Sequence, residues 1–275
     1  MLKILPLFMV LLASVGSSLA ADSEPNFLNE EELDLYCLQK AYPQIKSIIS
    51  DESGTKWLSL HNGRAVPYQN PEFDGEGLNV DVKTSLHAPY PLEPERPLPA
   101  SSPGRKRPYD FFFALYGNEP REVQKKLSPV SFNGSRLYLT EQAAASLNKA
   151  ARELTTLTEI PELKKYLKPD GAYYWRKIAG EPWLSAHSFG IAIDLGANAA
   201  PYWRWQKKLP HPLQKTYSDK IVKIMEDNGF IWGGKWREYD LMHFEYRPEL
   251  ICKAKMRKNL KTSGKAAIPA GQMAR

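Results

Sequence analysis

The clearest hydrophobic period lies in TEQAAASLNKAARELTTL, residues 140–157, where Ala144, Leu147, Ala151 and Leu154 share one helical face. Thr140 stands at its start, with Glu141 and Gln142 close to, but not in, strict capping-box register. A second helix is predicted in SDKIVKIMEDNGF, capped by Ser218 and closed by Asn228-Gly229. A third is predicted in NEEELDLYCLQKAYPQI: Leu33, Tyr36, Cys37 and Leu38 fall at helical spacing, acids fill the first turn, and Asn29 is placed to cap. GIAIDLG and DLMHFEY read as short strands, and GAYYWRKIAG as a strand or extended segment. HNGRAVPY sets the turn dipeptide Asn62-Gly63 between apolar runs and predicts a hairpin. Helices and short strands are intermixed without a βαβ rhythm, so the fold class expected is α+β.

Three stretches break this pattern. The first is an apolar run from Ile4 to Val15 behind Lys3, ending in small residues before Ala21. It reads as a signal peptide, residues 1–20, and is too short to span a bilayer. The mature protein is therefore expected to be exported, to the periplasm or the cell wall, with no transmembrane segment. The second runs from Pro89 to Pro108 and holds seven prolines; it is expected as an ordered surface crossing, since neither side alone shows a complete core. The third is residues 253–275, with seven basic residues and no acid, expected as a disordered basic tail. That tail explains the formal charge of +6. Without it and Lys3, 29 bases face 31 acids, so the body offers no footprint for nucleic acid. The expected organisation is 1–20 signal, 21–108 helix, hairpin and proline-rich crossing, 109–252 catalytic region, and 253–275 tail. The two cysteines, Cys37 and Cys252, are an even pair in an oxidising compartment, which favours a bridge from the first helix to the last strand.

Candidate chemistry sits in two blocks. In SAHSFGIAIDLGAN, Ile191 and Ile193 point to one face of a strand, Ala192 and Asp194 to the other. A bend at Gly190 would return His187 to the Asp194 side. Alone, this pair reads more often as a hydrogen-bonded structural pair than as a site. The block EYDLMHFEYRPE adds His243 and Glu245 on one strand face, with Asp240 three residues before His243. Two histidines and an aspartate are nitrogen and oxygen ligands of the kind zinc takes, and a carboxylate outside the ligand set is what a water nucleophile needs as a base.

The paired motif S-x-H-x-x-G-x-A-x-D and D-x-x-H-F-E, here Ser185, His187, Gly190, Ala192 and Asp194, then Asp240, His243, Phe244 and Glu245, resembles the zinc D-alanyl-D-alanine carboxypeptidase family. That family includes vancomycin-resistance carboxypeptidases and dipeptidases, and L-alanyl-D-glutamate endopeptidases. YYWRKIAG, NGFIWGGKW and YDLMHFEYRPEL extend the likeness from about Tyr109 to Leu250. The resemblance implies a small mixed or antiparallel sheet with flanking helices, carrying a zinc ion (Zn2+) on His187, Asp194 and His243. It implies Asp240 as acid/base and Arg176 as the arginine that steadies the carbonyl oxygen. Two departures stand out. Several members have glutamate where this chain has Asp240, and Arg176 lies only eleven residues before His187.

Ser185 is open to two roles, orienting substrate or bonding the loop backbone. Glu245 is a candidate second-shell acceptor for a ligand histidine, or an exposed strand carboxylate. Trp203, Trp205, Trp232 and Trp236 could wall a cleft or fill the core, and His61, His87 and His211 read as surface residues. The function implied is hydrolysis of peptidoglycan stem peptides, by a D-alanyl-D-alanine carboxypeptidase or else an L-alanyl-D-glutamate endopeptidase. The contrasting class is a non-catalytic, zinc-stabilised wall-binding module.

Overall fold

The computed structural model of the protein describes residues 27, 29–70, 77–96, 101–206 and 209–262. The signal-peptide stretch 1–20 lies outside them. In chain order come α1 (Glu30–Ala41), strands β1 (Ile45–Ser50), β2 (Lys56–Leu60) and β3 (Ala65–Pro67), then α2 (Val82–His87), α3 (Tyr109–Tyr116) and α4 (Pro120–Gln124). The hairpin β4 (Leu127–Phe132) and β5 (Ser135–Thr140) leads into α5 (Glu141–Thr156) and α6 (Pro161–Lys164). The last part holds β6 (Pro169–Gly171), β7 (Ala192–Leu195), α7 (Trp203–Gln206), α8 (Leu213–Thr216), α9 (Asp219–Asp227), β8 (Phe230–Trp232), β9 (His243–Tyr246) and α10 (Pro248–Thr262). The class is α+β, with small antiparallel sheets flanked by helices.

Local chemistry sets the helix starts. The Asn29 side chain accepts from Glu32 N, and Ser218 Oγ accepts from Ile221 N. Thr140 makes no such bond; its own N–H donates to Gly190 O instead. The Asn62-Gly63 turn joins β2 to β3 as expected, with Gly63 at φ 83°. A second hairpin, β4–β5, was not anticipated, although its turn pair Asn133-Gly134 has the positive φ values that such a dipeptide favours.

The sheet that positions the site has order β6-β7-β9-β8 and is antiparallel throughout. β7 is buried between neighbours, so Ile193 and Phe244 face the core while Asp194 and His243 stand opposite each other on the other side. α5 lies against β4, β5 and α9 through Ala144, Leu147, Ala151 and Leu154, all buried. Residues 89–96 form an ordered crossing: Tyr90 donates to Glu226, and Glu226 accepts from Glu93 N and Lys235.

Residues 253–262, expected as the start of a disordered tail, are helical. Pro248 opens α10, where its missing N–H costs nothing. Lys253 is buried and pairs with Asp34 and Glu30 of α1, and Arg257 bonds Glu30 at 2.5 Å. The acids that neutralise this basic run lie at the other end of the chain, so composition alone could not reveal them. Cys37 and Cys252 are joined, their Cα atoms 5.6 Å apart. The bridge links α1 to α10 rather than to a strand, because Pro248 has already turned the chain into helix.

Candidate metal centre

His187 lies in a single 3-10 turn, Ala186–Phe189, rather than on the strand that carries Asp194. Ser185 starts this turn, its Oγ accepting from His187 N at 3.4 Å. Gly190 ends it at φ 65°; a Cβ there would lie 2.5 Å from Leu127 Cδ2 and 3.2 Å from Thr140 N, so close packing as well as dihedral demands glycine. Phe189 anchors the turn among Tyr109, Phe112, Phe113 and Tyr116 of α3.

The turn brings His187 Nε2 to 3.2 Å from Asp194 Oδ1 and 3.2 Å from His243 Nδ1, which is 3.1 Å from the same Asp194 oxygen. Three donor atoms therefore form a near-equilateral triangle. A tetrahedral ion with bonds of about 2.0–2.1 Å has ligand–ligand edges of about 3.3 Å, so the spacing fits. The far ring nitrogens agree. His187 Nδ1–H donates to Ala172 O at 2.6 Å and His243 Nε2–H to Glu245 Oε2 at 3.3 Å, which leaves a lone pair on each nitrogen that faces the triangle. Among the described residues, His187, Asp194 and His243 are the group that could hold a metal ion.

Glu245 is wholly buried, not an exposed strand carboxylate. Arg107 grips it with Nη2 at 2.6 Å and Nε at 3.0 Å. Arg247 lies 3.5 Å from its other oxygen and continues through Glu249 to the Tyr42 hydroxyl. A buried chain of alternating charge thus backs His243. Burial pushes the Glu245 carboxyl up, but Arg107, His243 and Arg247 outweigh it and hold it well below the usual carboxylate range. Asp194 is likewise driven down: burial opposes ionisation, and His187 and His243 overcome it. Burial lowers His243, yet Asp194 and Glu245 bring its pKa up to about 9 in the metal-free protein. The pocket is built to hold positive charge.

Asp194 and His243 open onto a cleft of about 220 Å³ that also exposes Asp240, Arg105, Arg107, Arg176, Ser185, Tyr202, Trp205, Trp236 and Met242. Asp240 is set by the turn Asp240–His243, with His243 N donating to Asp240 O, and by Gly233, where a Cβ would lie 2.5 Å from Asp240 O. Its Oδ1 is buried without a hydrogen-bond partner among the described residues. Burial pushes the Asp240 carboxyl up to about 7; Asp194 adds to this, while His243, Arg105 and Arg176 pull the other way. Arg176 is held by its backbone: Ser188 Oγ accepts from Arg176 N at 2.9 Å and donates to Arg176 O at 2.8 Å. Its side chain reaches the cleft. Ser185 lines the cleft while also bonding the turn, so both of its roles remain geometrically open. Of the tryptophans, Trp205 and Trp236 line the cleft, and Trp232 is buried in the core.

Arg105 and Arg107 were not anticipated. They come from the proline-rich crossing, and their partners Glu238 and Glu245 lie more than a hundred residues on.

Asp194 and His243 on adjacent strands, with His187 on the turn beside them, form a group that could hold a metal ion and that opens onto a cleft carrying an uncommitted carboxylate. Residues 179–246 match the family model described as D-alanyl-D-alanine carboxypeptidase. The resemblance to that peptidase family is therefore shown over the stretch that holds His187, Asp194, Asp240 and His243; Arg176 lies three residues before it. No curated protein and no solved structure matches the chain. No helix of the described residues is long and apolar enough to cross a membrane.

Proposed function

We propose that the protein is a zinc-dependent D-alanyl-D-alanine carboxypeptidase acting on peptidoglycan stem peptides. The observation that carries this reading is the uncommitted, buried Asp240 oxygen beside the His187–Asp194–His243 triangle. A site kept only for folding closes its coordination with protein ligands and needs no free base at its edge. That separates the enzyme from a wall-binding module.

When bound on His187, Asp194 and His243, zinc would supply Lewis acidity at the scissile carbonyl and acidify the attacking water. Asp240 takes the proton from that water and delivers one to the departing amine. In the metal-free protein burial raises the Asp240 carboxyl, the direction that suits a group which must both take and return a proton. Arg176 steadies the carbonyl oxygen as it gains charge. Ser185 orients the peptide at the cleft wall. Glu245, fixed by Arg107, keeps His243 in the tautomer that presents Nδ1. The reading of residues 1–20 as an export signal fits a substrate in the cell wall.

The test is hydrolysis of a stem pentapeptide ending in D-Ala-D-Ala, followed by mass measurement, with and without a chelator. Release of one alanine that stops on chelation and returns with zinc supports the reading. No release from that peptide or from any intact muropeptide would favour the binding module.

A further inference from the structure

Two segments that wall the cleft are fastened to each other. Residues 177–184 turn back on themselves: Lys177 and Leu184 form an antiparallel bridge, and Ile178 N donates to Trp183 O at 2.9 Å. Glu181 N donates to Ile178 O at 3.0 Å, and Gly180 at φ 75° makes the tip. Facing it is α7 with the residue before it. Ile178 and Ala179 line the cleft from the first segment, Tyr202 and, within α7, Trp205 from the second.

Arg204 of α7 donates through Nη2 to Glu181 Oε1 at 2.7 Å. Its guanidinium lies 5.1 Å over the Trp203 ring and against Gly180, where any Cβ would collide with it. The two side chains are 34% and 27% exposed, so the pair adds little to stability on its own. Its importance is where it lies: it ties together the walls between which a peptide must pass.

We propose that the Arg204–Glu181 clasp is a specificity determinant that closes one end of the cleft. The substrate chain then has to terminate inside it, and the site selects peptides with a free C-terminus over chains that would run through. The inference rests on the peptidase reading above. Two further features agree with a blind end. The cleft, at about 220 Å³, falls below the roughly 300–1,000 Å³ of pockets that enclose larger ligands, and suits small residues. Arg105, on the cleft lining and not assigned to the scissile carbonyl, offers a guanidinium that suits a terminal carboxylate. A peptide continuing past the scissile bond would instead have to part the hairpin from α7.

The experiment compares the zinc-loaded full chain with Arg204→Ala, Glu181→Ala and the double charge swap Glu181→Arg with Arg204→Glu. Two substrates are used: a stem pentapeptide ending in D-Ala-D-Ala, and the same peptide extended by two residues beyond the second D-alanine. The readout is the ratio of kcat/KM for the two. The wild type should favour the free-ended peptide by roughly tenfold or more, and each single variant should erase most of that preference by gaining on the extended peptide. The swap should restore it, which a merely structural role would not do. Arg204→Gln is read in place of any alanine variant that loses its fold. Folded single variants that keep the wild-type ratio overturn the clasp's role. A wild type that cleaves the extended peptide equally well also overturns it and leaves the peptidase reading intact, whereas a wild type that cleaves neither overturns both.

Discussion

Asp194 and His243 are register partners on adjacent antiparallel strands, with Oδ1 and Nδ1 3.1 Å apart. Two of three candidate ligands are thus fixed by backbone pairing, and only His187 depends on a turn. Substituting either strand ligand should leave the sheet intact and cost the metal. His243→Ala should bind no zinc at stoichiometric concentration. Asp194→Asn should bind it more weakly, with partial recovery of turnover at high zinc. Elemental analysis and turnover against added zinc check both; a His243→Ala protein with one tightly held zinc would remove His243 from the ligand set.

Asp240→Asn keeps the size of the side chain and removes its basicity. Zinc content and unfolding temperature should remain those of the wild type, while turnover per bound zinc falls by roughly 10²–10⁴. Weaker zinc binding with unchanged turnover per zinc would make Asp240 a partner of His243 instead of the base.

Arg107 backs the candidate ligand His243 through Glu245. Glu245→Gln should weaken zinc affinity by roughly 10–100-fold, as loss of an outer-shell acceptor does. Arg107→Ala should be worse for folding than Glu245→Gln, because it leaves a buried carboxylate without its main counter-ion. Competition with a chelator of known affinity measures the first effect and thermal unfolding the second.

The chelated protein should show a stability plateau with two different edges. Glu245 is depressed below its ordinary 4.5, so its contribution is present above that value and fades as pH falls below it. His243 is raised from 6.5 to about 9, so its contribution is full below 6.5 and is lost as pH rises through about 9. The combined contribution of these two groups should therefore be greatest between about 4.5 and 6.5, while Asp240, raised from 3.8 to about 7, tilts that window downward as pH rises. Zinc must displace the His243 proton, so uptake should release protons and weaken as pH falls. Unfolding temperatures across the pH range, and calorimetry in buffers of different ionisation enthalpy, check the two statements.

Reducing the Cys37–Cys252 bridge, which closes 215 residues of sequence separation, should destabilise the fold by about 5 kcal/mol in the chain-entropy account. Denaturant titrations with and without reductant give the difference. Equal midpoints would mean that the α1–α10 ion pairs already hold the two helices together.

What the sequence made legible was local. Asn29 and Ser218 cap their helices because a side chain and an N–H three residues on meet in any helix start. That Asp194 faces away from Ile191 and Ile193, and that His243 shares a face with Glu245, was readable because strand parity is fixed; that the two faces coincide depends on the pairing of β7 with β9. His187 was readable only as far as the bend at Gly190; that Gly190 sits against Leu127 and Thr140 depends on a hairpin missed despite its Asn-Gly turn. Arg107 with Glu245 and Lys253 with Asp34 escaped for one reason. Each joins residues that composition counts separately, and no periodicity links them.

The α1–α10 contact gives the molecule the logic of a loop of rope spliced to itself. Lys253 leaves its charge among Asp34 and Glu30, so the last helix completes the first one's electrostatics. A ribosome delivers these helices in the opposite order to the one in which they become useful. α1 must wait, with its acids uncompensated and Cys37 unpaired, until α10 has been made. A nonsense codon anywhere before Lys253 would therefore spoil the beginning of the fold, not merely shorten its end.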